Sequence, residues 1–307
     1  MNDFIKVSVC CFTYNHAPYL REALDSVLMQ KTSFQYEVII GDDCSTDESQ
    51  NIILEYYNKF SSIIRPIFQP VNSKGKKNFN DVYNSARGEY VITLETDDYW
   101  TDSSKLQKQV NFLDSNPNYI AVAHNCTIVD QNSSILDEEY PSIKKGIFTF
   151  KAFGDGLLPG QTTTIMYRNP MFVQGIDMGL YYNPVGGPGD MRKIFCLMTQ
   201  GLIFTLPDSM SAYRHIVSGG TSFSASHKRD DAFALKYYNE FQRYSRKFRN
   251  IEMQRAADVR LIQTALGAYR TNYLSISELF VYAKTCVSPF YAFFRALLNI
   301  IKLKIMK

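Results

Sequence analysis

Carboxylate side chains are concentrated at two places in this sequence, and each place closely follows a strand-like apolar segment. Asp42 and Asp43 come after YEVII, and Glu95, Asp97 and Asp98 come after YVITL. Carboxylates that crowd together repel one another unless a cation lies between them. Hard oxygen ligands suit Mg²⁺ or Mn²⁺, which typically bind one or two carboxylates together with substrate phosphates. The residue types therefore favour a divalent-cation site that holds a phosphorylated ligand.

A second interpretation is that these acids are loop and helix-cap residues on a solvated edge. For Asp42 and Asp43 taken alone it is as good as the first, because Ser45 and Glu48 follow with the S-x-x-E spacing of a capping box. The two clusters together favour the cation site. Ligands of open α/β sheets bind at the C-terminal ends of the strands, and both clusters are predicted to lie there.

The elements that must position these acids alternate between strand and helix up to about residue 130. Continuous apolar runs indicate strands buried on both faces, and apolar residues at helical spacing indicate the helices between them. This alternation predicts an α/β fold with a mostly parallel central sheet flanked by helices. The predicted strands are 7–12, 36–40, 65–71 and 90–94, and the predicted helices are 17–30, 46–60, 78–86 and 103–115.

The pattern is looser after residue 130. We expect a strand at 162–167, a helix at 189–201 and two short strands in LIFTL and MSAYR, and the chain is helical from about residue 228. The small-residue stretch SGGTSFSAS suggests a boundary near residue 225. The predicted domains are therefore residues 1–225 and a C-terminal helical region, residues 226–307.

Four segments carry a family resemblance: VSVCCFTYNHAPYLREALDSVLMQ, YEVIIGDDCSTDES, SARGEYVITLETDDYWTDSSKL and the Gly-Asp pair at 189–190. Their order and spacing closely resemble the inverting family 2 glycosyltransferases with the GT-A fold. The similarity is greatest to bacterial members that build capsule and lipopolysaccharide chains, and it covers residues 6 to about 220. The resemblance implies a metal-dependent glycosyltransferase that takes a sugar from a nucleotide-diphosphate donor.

The resemblance also implies which residues bind that donor. Asp43 matches the carboxylate that accepts from the imide N–H of uracil, which points to a UDP-sugar, and Glu95, Thr96 and Asp97 match the D-x-D motif with Glu at its first position. Asp97 and Asp98 are the expected ligands of Mn²⁺ or Mg²⁺. The remaining residues that match donor-contacting positions are Thr13, Tyr14, Asn15, Asp42, Lys77, Asn78 and Arg214.

Asp190 is the expected catalytic residue, because the family has an acidic general base at the start of a helix in its second half. Removing the proton from a sugar hydroxyl during attack contributes about 10²–10⁴-fold to the rate. A single in-line displacement inverts the anomeric centre and needs no covalent nucleophile. Taken alone, Asp190 would more often be a helix N-cap.

Composition limits the partners and the compartment. The formal net charge is only +3, with no basic stripe in the first two hundred residues, so we expect no nucleic-acid partner. The six cysteines show no disulfide or C-x-x-C spacing, which fits a reducing compartment. The start of the sequence resembles no export signal, and no run reaches the roughly 18 apolar residues of a spanning helix. We expect a cytoplasmic protein.

The segment SPFYAFFRALLNIIKLKIMK, residues 288–307, combines large apolar residues with basic ones. A basic amphipathic helix of this kind can lie in the headgroup plane of an anionic membrane, here the cytoplasmic face of the inner membrane. Docking of the same helix on the protein's own core is an equally good interpretation. The family resemblance implies a saccharide or a polyprenyl-linked oligosaccharide as acceptor, which the membrane interpretation would suit.

Two other functions are alternatives to glycosyl transfer. A sugar-nucleotide pyrophosphorylase needs a Gly-rich phosphate loop after the first strand, and CCFTYNHAPY has none. A non-catalytic nucleotide-sugar-binding or scaffold protein of a polysaccharide assembly complex could lack its metal ligand or base, but Asp97 and Asp190 are both present. The sequence does not identify the transferred sugar.

Overall fold

A computed structural model describes residues 4–173, 175–181, 189–216 and 230–305, with side chains up to residue 302. The chain divides into two compact units. The first consists of Met1–Ile147, Pro159–Gly175 and Gly201–His227, and the second of Phe148–Leu158, Ile176–Gln200 and Lys228–Lys307. The boundary predicted near residue 225 lies outside the described residues. The second unit also takes two segments from inside the predicted first domain.

The first unit is built around a nine-stranded mixed sheet. Its strands are β1 (Val7–Thr13), β2 (Tyr36–Asp42), β3 (Ile64–Phe68), β4 (Tyr90–Glu95), β5 (Tyr99–Trp100), β6 (Tyr119–Val129), β7 (Gly146–Phe148), β8 (Met166–Arg168) and β9 (Leu202–Arg214). Their order is β3-β2-β1-β4-β8-β6-β9-β5, with β7 paired to β9. This sheet and its helices confirm the predicted α/β class.

The parallel part of the sheet contains the strands that were predicted. β1 pairs in parallel with β2 and with β4, and β2 pairs in parallel with β3. Every residue of β1 is buried, as expected for a strand covered on both faces. β8 is antiparallel to β4 and to β6, and beyond it β6 pairs in parallel with β9. The C-terminal ends of β1, β2 and β4 therefore meet at one edge.

Four helices of the first unit pack on this sheet: α1 (Ala17–Leu28), α2 (Ser49–Lys59), α3 (Lys76–Asn84) and α4 (Lys105–Ser115). In α1 the buried positions Leu20, Ala23, Leu24 and Val27 repeat at helical spacing, and they join the core formed by β1, β2 and β4. α1 begins with Pro18 in its first turn, where a missing N–H costs no hydrogen bond.

The structure differs from the predicted elements at several places. Residues 202–214 form one continuous strand, β9, instead of two short ones, and β6 was not predicted. Residues 162–164 form a 3₁₀ turn before the short strand β8. The capping box expected at Ser45 and Glu48 is not formed, because α2 begins at Ser49 and the Ser45 hydroxyl instead accepts a hydrogen bond from the Asn15 N–H.

The second unit is helical over the residues described. Its helices are α5 (Phe150–Gly154), α6 (Gly189–Leu197), α7 (Asp231–Ser245), α8 (Ile251–Arg270), α9 (Ile276–Lys284) and α10 (Pro289–Ile305). α8 is the central helix and packs against α5, α7, α9 and α10. The predicted C-terminal helical region is therefore present. Among the described helices of both units, none has the length and apolar character needed to cross a bilayer.

Candidate active site

The acidic residues after β4 converge on one point. Glu95 is the last residue of β4, and Asp97 and Asp98 lie in the turn that leads to β5. One carboxylate oxygen from each of the three lies within 4.8 Å of the others. A single hard divalent cation can be coordinated by several oxygens at such a spacing. The geometry therefore fits a cation site in which Glu95 joins the two expected ligands, Asp97 and Asp98.

Electrostatics within the cluster disfavour three negative charges without a cation. Asp98 is buried, and burial together with the charges of Asp97 and Glu95 raises the pKa of Asp98 well above its ordinary value. Hydrogen bonds from the Arg214 main-chain N–H (2.8 Å) and from Gln161 Nε2 (2.9 Å) act in the opposite direction. A bound cation would favour the ionised form of Asp98.

The acidic turn is tied to the end of β1 through Thr96. The Thr96 N–H and hydroxyl both donate to the carbonyl oxygen of Phe12, at 3.1 Å each, and His16 Nδ1 lies 3.0 Å from the same hydroxyl. Thr96 is fully buried. The Thr96 side chain holds the turn in place, and its contact with the donor stays a prediction.

Arg214, at the end of β9, braces the same turn from the other direction. Its Nε donates to the main-chain carbonyl oxygen of Asp97 at 2.8 Å, and its own N–H donates to Asp98. Only 1% of the Arg214 side chain is exposed. A guanidinium with five N–H donors in a rigid fork can bind several acceptors at once in a way that lysine cannot.

The rest of the Arg214 guanidinium is bound to groups outside the turn. Nη2 forms an ion pair with Glu22 of α1 at 2.7 Å, and Nη1 donates to the Asp130 carbonyl oxygen and the Ser133 hydroxyl. The guanidinium also lies 4.5 Å from the centre of the Tyr19 ring. A cavity of about 410 Å³ opens beside it, lined by Pro18, Tyr19, Glu22, Gln131, Asn132, Ser133 and Arg214. These contacts make Arg214 a brace of the acidic turn, and its contact with the donor stays a prediction.

Two buried oxygens lie side by side at the ends of β1 and β2. Thr13 and Asp42 are partners in the parallel register of the two strands. Among the residues that the structure describes, neither Thr13 Oγ1 nor Asp42 Oδ2 has a hydrogen-bond partner. The other Asp42 oxygen accepts from the Ser45 N–H and from Gln50 Nε2. Because an unpaired buried polar group costs about 1–3 kcal/mol, this pair suits a polar ligand.

Asp43 is engaged by the loop that precedes α3. Its Oδ1 accepts from the N–H and the hydroxyl of Ser73, and its Oδ2 accepts from the Gly75 N–H at 2.8 Å. A carboxylate offers about four acceptor sites, so these three hydrogen bonds leave room for roughly one more. The proposed contact with a base N–H would use that last site.

The other predicted donor contacts on these loops have different environments. Asn15 has a left-handed φ of 55°, and its Oδ1 accepts from the Thr46 N–H, which links the loops after β1 and β2. Tyr14 beside it is half-buried. Lys77 is exposed and forms an ion pair with Asp81 one turn along α3. Asn78 is buried, and its Nδ2 donates to the Gly41 carbonyl oxygen of β2.

Asp190 belongs to the second unit. It is half-buried in the first turn of α6, one residue after the helix begins, and its Oδ1 accepts from the Met191 N–H. Arg192 on the same helix is buried, with its guanidinium 4.7 Å from the centre of the Tyr237 ring of α7. Most of the segment preceding Asp190, including Gly186 and Gly187, lies outside the described residues.

Sequence reasoning missed the residues that support the acidic cluster. Gln161, His16 and Glu22 all bind the acidic turn or its Arg214 brace; His16 and Glu22 come from the start of α1, and Gln161 comes from a distant segment. No local motif marks them. His215 follows Arg214 directly in the sequence, and its ring Nδ1 lies 2.8 Å from Glu138 Oε2.

Comparison with known proteins agrees with this fold. The model of the family described as glycosyl transferase family 2 matches residues 8–172. An uncharacterized protein of Mycobacterium tuberculosis, Rv1520, is 35% identical over 69% of this chain, and the match spans 60% of that relative's length. An uncharacterized glycosyltransferase of Nostoc, alr2836, is 29% identical over 68% of this chain and 65% of its own length.

Solved structures share the fold at low identity. Residues 1–349 of TarS from Staphylococcus aureus superpose with a TM-score of 0.64 at 18% identity, covering 96% of this chain and 89% of TarS 1–349. The complex of the same fragment with UDP-GlcNAc gives 0.60 at 19% identity, with the same coverage of both chains. A mannosyltransferase from Pyrobaculum calidifontis, with GDP-Man and Mn²⁺, gives 0.50 at 16% identity and covers 97% of this chain and 88% of its own.

The sheet topology, the acidic turn and these neighbours define a GT-A fold of the nucleotide-sugar transferase class. The chain belongs to glycosyl transferase family 2. The predicted fold and family are thereby confirmed.

Replacement of Arg214 tests whether this side chain braces the cation site. Arg214→Lys keeps the charge but loses the fork that binds the Asp97 carbonyl oxygen and Glu22 together, so Mn²⁺ affinity should fall about 10–100-fold. Calorimetric titration with Mn²⁺ measures the change. Arg87→Lys is the matched control, because Arg87 binds Glu37 through its main-chain N–H, Nε and Nη2 and is no part of the acidic turn. Unaltered Mn²⁺ affinity in Arg214→Lys would contradict the brace.

The raised pKa of Asp98 predicts a pH dependence that a cation should change. Because folding raises this pKa, the folded chain keeps a proton that the unfolded chain loses. The cation-free protein should therefore lose stability as pH rises from about 4 through the raised pKa. Bound Mn²⁺ removes this loss, so the Mn²⁺-induced rise in unfolding temperature should be larger at about pH 8 than at about pH 5. Calorimetric scans with Mn²⁺ and with chelator measure it, and an equal rise at both pH values would refute it.

Proposed function

We propose that this protein is a metal-dependent inverting glycosyltransferase. It transfers a sugar from a nucleotide-diphosphate donor, a UDP-sugar, to a hydroxyl of a growing polysaccharide or lipid-linked oligosaccharide. The observation that carries the proposal is the convergence of Glu95, Asp97 and Asp98 within 4.8 Å at the sheet edge where β1 and β2 also end. Membership of glycosyl transferase family 2 supports the same reaction.

The nucleoside of the donor would lie across the ends of β1 and β2. Thr13 Oγ1 and Asp42 Oδ2 are buried there without partners among the described residues, so a ligand's polar groups would satisfy both. Asp43 would accept from the imide N–H of uracil with its remaining acceptor site. A UDP-sugar also agrees with the UDP-GlcNAc that was bound in the TarS fragment.

Glu95, Asp97 and Asp98 are oxygen donors of the kind that Mn²⁺ and Mg²⁺ prefer, and their spacing fits one such ion. The ion would supply Lewis-acid stabilisation of the negative charge that grows on the departing diphosphate. Thr96 and Arg214 would keep the turn, and with it these carboxylates, in position before the donor arrives. The Mn²⁺ in the mannosyltransferase complex supports this choice of ion.

Asp190 would be the general base. Its carboxylate lies half-buried in the first turn of α6. It would remove the proton from the acceptor hydroxyl while that oxygen attacks the anomeric carbon and the bond to the diphosphate breaks. The product would have the inverted configuration.

The acceptor is proposed to be a saccharide or a polyprenyl-linked oligosaccharide. Capsule or lipopolysaccharide assembly in the bacterial cytoplasm, at the cytoplasmic face of the inner membrane, is the proposed setting. A basic and apolar C-terminal helix supports a membrane location. The matched region spans 60% of the length of Rv1520 and 65% of that of alr2836. The donor and acceptor of the whole protein are therefore proposals.

A donor panel tests the nucleotide assignment. With Mn²⁺ present, a UDP-sugar should raise the unfolding temperature more than a GDP- or dTDP-sugar, since a donor at a hundred times its Kd stabilises by about 2.7 kcal/mol. Thermal-shift measurements check this. Asp97→Asn should lose most of the Mn²⁺-dependent shift, whereas Asp208→Asn, which alters an exposed acid paired with Lys108, should keep it. A clear preference for GDP would overturn the role of Asp43.

Removal of the base tests the catalytic assignment. Asp190→Asn should lower Mn²⁺-dependent donor turnover about 10²–10⁴-fold and leave the donor-induced thermal shift intact. Asp177→Asn is the control, because Asp177 is another acid of the second unit and pairs with Lys247. Full turnover in Asp190→Asn would exclude it as the base. Donor binding without turnover in the unsubstituted protein would instead favour a non-catalytic sugar-nucleotide-binding protein.

A further inference from the structure

An apolar surface covers the outer sides of the last two helices. Phe290 is 93% exposed, and Phe280 and Val281 of α9 are 57% and 62% exposed. We call this surface the apolar face, and it is formed by Phe280, Val281, Phe290, Phe294, Leu297 and Ile301. Several large exposed apolar side chains on two helices that contact each other are typical of an interaction site.

The pattern of α10 shows that this exposure belongs to an amphipathic helix. Residues 290, 294, 297 and 301 recur at intervals of four, three and four, which puts them on one side of the helix. Ala292 and Ala296 are buried in a core cluster with α8. α10 is thus docked on its own unit by one side while the apolar face is left uncovered. The sequence left two interpretations of this helix open, docking on the protein's own core and binding to a membrane. Docking is observed, and it is compatible with membrane binding because the apolar face stays exposed.

Polar contacts fix α10 in this orientation. Arg295 forms an ion pair with Asp155, next to α5, and Asn299 Nδ2 donates to the Gly154 carbonyl oxygen. Both polar residues that interrupt the apolar stretch are therefore used to dock the helix. The apolar face is presented by a helix with a defined rotation about its axis.

The charge of the region identifies the partner. After Glu278 the sequence contains five basic residues and no acidic one, and the described residues Lys284 and Lys302 are exposed. A second copy of this chain on the same surface would place basic groups against basic groups, which disfavours self-association. An anionic lipid surface offers both an apolar layer and negative charge.

We propose that the apolar face lies in the headgroup region of an anionic bilayer. Phe290, Phe294 and the neighbouring aliphatic side chains enter the acyl boundary, and Lys284 and Lys302 contact lipid phosphates. This proposal names the surface that binds the membrane, and it rests on the membrane location in the proposed function. Sugar transfer itself is tested separately by donor turnover.

Vesicle co-sedimentation of the full chain tests the proposal. The unsubstituted protein should bind vesicles in which about a third of the lipid is phosphatidylglycerol, and bind pure phosphatidylcholine vesicles much less. Phe290→Glu/Phe294→Glu should lower the partition coefficient on the anionic vesicles at least about tenfold. Met171→Glu/Phe172→Glu is the matched control, since these exposed apolar residues lie in the first unit and the change should have no effect.

Two further measurements make the outcome decisive. Lys284→Glu/Lys302→Glu should weaken binding to anionic vesicles, and Mn²⁺-dependent donor hydrolysis by both helix variants should equal that of the unsubstituted protein, which shows that they fold. Equal vesicle binding by Phe290→Glu/Phe294→Glu and the unsubstituted protein would overturn the proposal. A dimer in light scattering that this variant converts to monomer, without vesicle binding, would assign the face to a second copy instead.

Discussion

Electrostatic repulsion within the acidic turn is the constraint on which the rest of the site depends. Three carboxylates within 4.8 Å, one of them buried, raise the free energy of the folded chain unless opposite charge or hydrogen-bond donors compensate. The fold supplies donors to Asp98 from Gln161 and from the Arg214 main chain. These donors hold the Asp98 carboxylate in place, and the nearby Arg214 guanidinium is already paired with Glu22, so the cluster favours a bound cation.

The order of the strands in the sheet determines which loops can contact the same bound ligand. Because β1 lies between β2 and β4 and is parallel to both, the loops after all three strands leave from the same edge. Side-chain bonds then lock the loops to one another: Asn15 binds Thr46, and Thr96 binds the end of β1. A donor lying across this edge would meet groups that are already positioned, which lowers the entropic cost of binding.

Sequence patterns predicted the parts of this arrangement that depend on local periodicity. The buried strands that precede the acidic residues could be predicted from the sequence, because burial on both faces produces continuous apolar runs. The contact of Arg214 with the acidic turn could not be predicted from local patterns, since it joins Asp97 to a residue 117 positions later. The structure formed by a local motif also depends on its context. The S-x-x-E pattern forms a capping box at Ser275 and Glu278, whereas the Ser45 hydroxyl accepts a hydrogen bond from the Asn15 N–H instead. Tertiary hydrogen bonds decided between these outcomes.

The two adjacent aspartates at the end of β2, Asp42 and Asp43, have different environments although a sequence motif treats them as a pair. Asp43 uses three acceptor positions to hold the loop before α3, and this loop also leads into Lys77 and Asn78. Asp42 keeps one buried oxygen without a partner among the described residues, beside Thr13. An unsatisfied buried oxygen has more to gain from a new donor than one that is already bonded. Recognition of a nucleoside at this edge would therefore involve Asp42 as well as Asp43, with Asp43 also shaping the wall of the site.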